Sequence, residues 1–163
     1  MSNWNEFTVR GSFKASVEEV YRRWATQEGI ESWFLRSSVF RNEAGQERSR
    51  NDFAQAGDHF AWLWHGYDDD VVEHRSVLAA NGKDFFQFTF TGDCVVSVSI
   101  REKSGLTIVE LKQDLIPDDD NSETNLFVHC QIGWTFYLAN LKSVLEGGVD
   151  LRNKDMAVLS NFK

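Results

Sequence analysis

The sequence predicts an α+β fold: a curved antiparallel sheet of about seven strands wrapped around one long C-terminal helix, in the order β-α-α-β6-α. Three observations predict it. Residues 122–147 place Phe127, Cys130, Trp134, Leu138, Leu141 and Leu145 on one stripe at helical spacing, and a helix of that length spans roughly 40 Å at about 1.5 Å per residue. Residues 57–115 carry alternating apolar runs punctuated by turn signals, the pattern of a meander with one dry face. The 163 residues suit a single domain over 1–163, large enough to bury a core without disulfide or metal staples.

Taken in order, residues 4–14 alternate, with Phe7, Val9, Gly11 and Phe13 on one face of a first strand. Ser16 followed by Glu19 is a capping-box signature, and Val17, Val20, Tyr21 and Trp24 follow at helical spacing, so a short helix is expected over 17–25. Gly29 is expected to break it, with Ile30, Trp33 and Phe34 in a second short helix before an extended stretch at 36–41. Residues 42–56 are polar and aperiodic and read as a loop or hairpin connection. Gly57 opens a strand whose Phe60, Trp62 and Trp64 share a face; Asp68, Asp69 and Asp70 form a turn, since like charges repel in regular elements.

The next strand covers 71–80, and its alternation sets His74 inward with Val72 and Leu78. Asn81-Gly82 is a hairpin signal. Phe86, Phe88 and Phe90 line one face of 84–91, Val96, Val98 and Ile100 one face of 94–102, and Val109, Leu111, Gln113 and Leu115 one face of 106–115. Pro117 and the acidic run at 118–120 end the sheet, Ser122 is a fitting N-cap for the long helix, and Gly147-Gly148 stops it. Ile132 and Phe136 fall on the helix's opposite side. The tail 149–163, with Met156, Val158 and Phe162, is expected to fold over them, or they meet a second copy in a homodimer.

Composition narrows the function classes. A net charge of −8, from 17 basic against 25 acidic side chains, opposes nucleic acid as a partner, because the protein's field repels phosphate. No run of about 18 apolar residues and no leader-like start occur, so a cytoplasmic protein without membrane insertion is expected. Cys94 and Cys130 lack metal-ligand spacing, and no nucleophile elbow, zincin helix, phosphate loop or dinucleotide fingerprint occurs; no catalytic residue, metal or cofactor is assigned. The 13 Phe, 6 Trp and 3 Tyr are many for this length, and rings need burial or a ligand.

The element order is that of the helix-grip fold. Trp33-Phe34, Gly57 and above all the closing run Gly133-Trp134, Tyr137-Leu138, Asn140-Leu141-Lys142, Leu145-Glu146-Gly147-Gly148 and Asp150-Leu151-Arg152 resemble bacterial proteins similar to the C-terminal domain of the activator of heat-shock-protein ATPase. These fall in the START-like (SRPBCC) superfamily of the birch-pollen allergen. The resemblance implies a cavity between sheet and long helix. Residues whose pattern points into that interior are Trp62, Trp64, Phe86, Phe88, Phe90, Val96, Val98, Gln113, Gln131, Trp134 and Leu138, which are the expected contacts of a small hydrophobic ligand, lipid-like or aromatic. A chaperone-cofactor-like interaction module is the alternative. A cyclase- or hydrolase-like enzyme using Gln113, Gln131 or His74 is the second alternative. Gly133, which costs about 1 kcal/mol relative to Ala inside a helix, is read as serving a close approach or a bend.

Overall fold

The computed structural model describes residues 4–159. Its elements are β1 (Phe7–Phe13), α1 (Val17–Ala25), α2 (Gln27–Glu31), β2 (Ser37–Arg41), β3 (His59–Leu63), β4 (Val72–Ala80), β5 (Phe85–Phe90), β6 (Cys94–Lys103), β7 (Leu106–Asp114), α3 (Leu126–Leu145) and α4 (Met156–Leu159). All strand pairs are antiparallel, and the sheet runs β1-β7-β6-β5-β4-β3-β2. The strands β2 to β7 form the meander, and β1 pairs with β7 at the far edge. This is the helix-grip arrangement, with α1 and α2 between the two edge strands in sequence and α3 laid on the dry face.

Local chemistry explains most boundaries and moves some of them. Ser16 Oγ accepts from Glu19 N at 3.1 Å and starts α1, whose Val20, Tyr21 and Trp24 are buried. The break between the two short helices falls at Thr26 rather than Gly29: Thr26 Oγ1 accepts from Gly29 N and caps α2. Gly29 sits inside α2 because a Cβ there would lie 2.0 Å from the Arg22 carbonyl oxygen. The long helix likewise starts later than Ser122. Asn125 is its N-cap, accepting from Val128 N at 3.1 Å, while Ser122 lies in a turn. Gly147, at φ +80, supplies the left-handed residue that ends α3.

Two corrections concern the sheet. The last strand stops at Asp114, and Leu115 turns out at φ +57 with 64% exposure, leaving Ile116 to point into the core. In β4 the register shifts between Val77 and Ala79, so Leu78 is an extra, exposed residue that inverts the alternation before it. Glu73 and Arg75 therefore oppose Trp62 and Phe60, and His74 lies exposed on the outer face with Val72 and Leu78. The pairing of β4 with β5 covers only Val77 to Ala80. Beyond it the strands splay, Ser76 N donating to Thr89 Oγ1 and Thr91 N to the Glu73 carboxylate in place of ladder bonds.

One end of the helix-sheet contact is locked by the C-terminal segment. Asn140, fully buried, donates to the Trp33 carbonyl at 2.7 Å and to Asp150 at 3.1 Å, and accepts from Leu151 N at 2.7 Å. Arg152, its side chain 4% exposed, donates to the carbonyls of Glu31 and Leu35, both at 3.0 Å, and pairs with Asp150 at 2.8 Å. The tail is thus tied to α2 rather than laid over the outer side of α3. Up to residue 159 it leaves Ile132 and Phe136 at 65% and 41% exposure. Phe162 lies outside the described residues.

Candidate ligand pocket

At the other end, where β4 and β5 splay, a pocket of about 430 Å³ opens beside α3. That volume is within the range of small-molecule sites, roughly 300–1,000 Å³. The helix contributes His129, Cys130, Gly133, Trp134 and Tyr137; Phe34 follows α2, Trp64 follows β3, Phe90 ends β5, and Tyr67 and Val71 come from the loop before β4. Tyr67 and Val71 are about half exposed and form the rim, whereas Trp134 is almost fully buried.

The wall is a network of rings. Phe34 packs against Trp134 at 5.0 Å, Tyr137 at 4.7 Å and Trp64 at 6.5 Å between centroids, and Phe90 meets Trp134 at 5.2 Å. Such tilted and edge-on pairs are worth about 0.5–1.5 kcal/mol each beyond burial, which holds the wall in place without a ligand. Trp134 is further fixed by its Nε1–H, which donates to Gln113 Oε1 at 2.9 Å. Gly133 meets no atom within 4 Å of where a Cβ would stand. Its missing side chain opens space on the pocket face; it serves no close backbone approach.

Burial disfavours the charged forms of Cys130, Tyr137 and Glu73 at the site. Burial raises the Cys130 thiol to about 11, with the Gln113 amide opposing, so no thiolate nucleophile forms there. Burial likewise raises Tyr137. Glu73, beneath the splay, is raised by burial against the opposing Thr91 N–H and Arg75. Arg75 Nε stands 3.1 Å from Glu73 Oε1 as an ion pair, without hydrogen-bond alignment. No group of three or more His, Cys, Asp or Glu converges to hold a metal among the described residues, and no helix there is long and apolar enough to cross a membrane.

A second depression, about 540 Å³, lies between Trp4, Pro117 and the acidic turn at Asp118, Asp119 and Asp120. It is larger but rimmed by charged turn residues, with Trp4 its one ring, so the smaller aromatic pocket is the better candidate.

The model for the activator of Hsp90 ATPase homolog 1-like protein family matches residues 14–146. The chain belongs to this family. No curated protein matches the sequence. Among solved structures, a Staphylococcus saprophyticus protein is similar at 18% identity and a TM-score of 0.69, covering 90% of this chain and 96% of that one. The Aha1 dimer of Colwellia psychrerythraea is similar at 17% identity and 0.67, over 88% and 97%. A protein of the dynemicin biosynthetic locus gives 16% and 0.67, over 92% and 50%. At these identities the likeness establishes the fold.

Within the family fold, the residues expected from sequence divide. Trp64, Phe90 and Trp134 line the pocket, whereas Trp62, Phe86, Phe88, Val96, Val98 and Leu138 are sealed in the packed core at 4% exposure or less. Gln113 is fully buried directly behind Trp134. Gln131 is half-buried and off the pocket wall, and its backbone carbonyl accepts from Thr135. His59 is exposed beside Ser76, and His65, which burial and nearby Arg152, Lys154 and Arg36 hold below its ordinary pKa, is also off the wall. Sequence reasoning left Phe34, Tyr67, Val71, His129, Cys130, Gly133 and Tyr137 out of the site. Cys130 and Tyr137 carried a signal, since both fall on or beside the inner stripe of α3; Tyr67 and Val71 had none, being placed by a loop.

Proposed function

We propose that the pocket at the open end of α3 binds a small, mostly apolar molecule of aromatic character. The observation that carries this reading is the pocket itself: six aromatic side chains, Phe34, Trp64, Tyr67, Phe90, Trp134 and Tyr137, converge on unfilled space of about 430 Å³ beside a glycine. The family fold is one that commonly encloses hydrophobic ligands, which supports the same reading. The neutral thiol and phenol favour binding over nucleophilic chemistry at this wall. The test is a titration of the neutral fluorescent probe N-phenyl-1-naphthylamine into wild type and Gly133→Leu. Saturable binding by wild type, lost when the leucine fills the pocket, is expected; equal binding by both would overturn the reading.

Self-association through the outer side of α3 is a second reading, favoured by Val128, Ile132 and Phe136, which stand at 41%, 65% and 41% exposure one turn apart. The Colwellia relative is described as a dimer. Sedimentation should give a dimer for wild type and a monomer for Ile132→Lys; a monomeric wild type at high micromolar concentration removes it.

A further inference from the structure

We propose that the pocket selects a neutral apolar molecule carrying a hydrogen-bond-accepting oxygen, and that the side-chain amide Nε2 of Gln113 receives that oxygen. This rests on the pocket being a ligand site.

A few buried polar atoms make no hydrogen bond within the protein. Among the described residues these are Trp24 Nε1, Ser38 Oγ, Trp62 Nε1, Arg75 Nε and Gln113 Nε2. Such atoms are few in native proteins, and each calls for an explanation. Four of the five can only donate. Three of those belong to side chains packed against the pocket wall: Trp24 lies 5.9 Å from Trp134, Trp62 lies 5.3 Å from Phe34 and 5.9 Å from Phe90, and Gln113 is bonded to Trp134. The shell behind the pocket wall therefore holds N–H donors whose bonding capacity is unused.

Gln113 is the one of these donors bonded directly to a residue of the pocket lining, Trp134. An indole N–H only donates, so the amide oxygen must face Trp134 and Nε2 must face away from it. On that side it lies against the thiols of Cys94 and Cys130, whose ionised forms it favours. Thiol sulfur is a weak acceptor, so the amide keeps most of its bonding capacity. Cys130 is itself part of the pocket wall. A ligand oxygen that displaces the Cys130 side chain by one torsion meets a preset donor. Acidic side chains flank this point in the chain, Asp114 beside Gln113 and Asp93 beside Cys94, and their negative field opposes an anion. A ketone, ester or ether oxygen fits, and a carboxylate does not.

The experiment compares two probes of the same shape, 2-acetonaphthone and its methylene isostere 2-isopropenylnaphthalene, against the full chain. Affinities come from calorimetry, and the side-chain amide of Gln113 is followed in ¹⁵N-resolved NMR spectra. The ketone is expected to bind about fivefold to tenfold more tightly, the worth of one buried hydrogen bond, and to move the Gln113 amide resonances while the alkene leaves them in place. Cys130→Ala keeps or widens the preference. Gln113→Met narrows it to within about twofold while the alkene still binds. Should that variant fail to fold, the wild-type affinity ratio and the amide resonances decide. Equal binding of both probes with an unmoved Gln113 amide overturns this inference and leaves the pocket reading standing. No binding of either probe removes both.

Discussion

The two ends of α3 meet the same sheet and solve the contact in opposite ways. At the closed end, Leu138, Asn140 and Leu141 are buried, and the Asn140, Asp150 and Arg152 network ties the helix, the C-terminal segment and α2 together through backbone carbonyls. At the open end, Gly133 leaves space, β4 parts from β5, and a loop rather than a strand supplies the rim. Most of the run that carries the family resemblance, from Asn140 to Arg152, belongs to the closed end. Family likeness therefore reads how the helix is held, and only Gly133-Trp134 and Tyr137 within that run reach the pocket. This is a physical reason why a shared fold tells little about what is bound.

The comparison can be broken at either end. The largest effect is expected at the closed end. Arg152→Ala leaves the carbonyls of Glu31 and Leu35 without their donor and Asp150 without its main partner, and should lower unfolding free energy by about 3 kcal/mol, read by denaturant titration. A loss below about 0.5 kcal/mol would mean that the latch is ornamental. At the open end, Gly133→Leu should weaken N-phenyl-1-naphthylamine at least tenfold, about 1.4 kcal/mol, while thermal stability holds.

Gly133→Ala sharpens the contrast further. With no atom within 4 Å of the new Cβ, it should gain up to about 1 kcal/mol of stability from helix propensity; destabilisation would mean that this part of the helix is closed after all. The smallest effect is a pH dependence. Arg152 holds the Asp150 carboxyl below its ordinary 3.8, burial opposing in part, so the folded-state pKa is depressed. That contribution is present above pH 3.8 and is lost as the pH falls below it. Asp150→Asn should flatten the acid limb of the stability profile there, and an unchanged limb would assign the loss to other carboxylates.

The sequence makes the closed, periodic parts legible and hides what loops and irregularities create. Trp134 and Cys130 follow from the helical stripe of α3, and Phe90 and Trp64 from strand alternation, because period and burial are linked there. His74 was misplaced because the bulge at Leu78 inverts the pattern of β4, and nothing local in that stretch announces a bulge. Glu73 and Arg75, polar residues on an inner face, are consequences of the same shift. Ser122 and Asn125 are both good N-caps, and the turn at 121–124 decides between them. Tyr67 and Val71 reach the rim from the loop between β3 and β4, whose path leaves no mark in the residues themselves. His129 also lines the pocket, from the first turn of α3.

The most direct test of the account is site-resolved NMR of the full chain with and without N-phenyl-1-naphthylamine. The account predicts that the Gly133 amide and the Trp64 and Trp134 indole resonances shift with saturation, while Asn140 and Arg152 at the closed end stay in place. Shifts confined to Ile132 and Phe136 on the outer side of α3, with Gly133 and Trp134 unmoved, would contradict it.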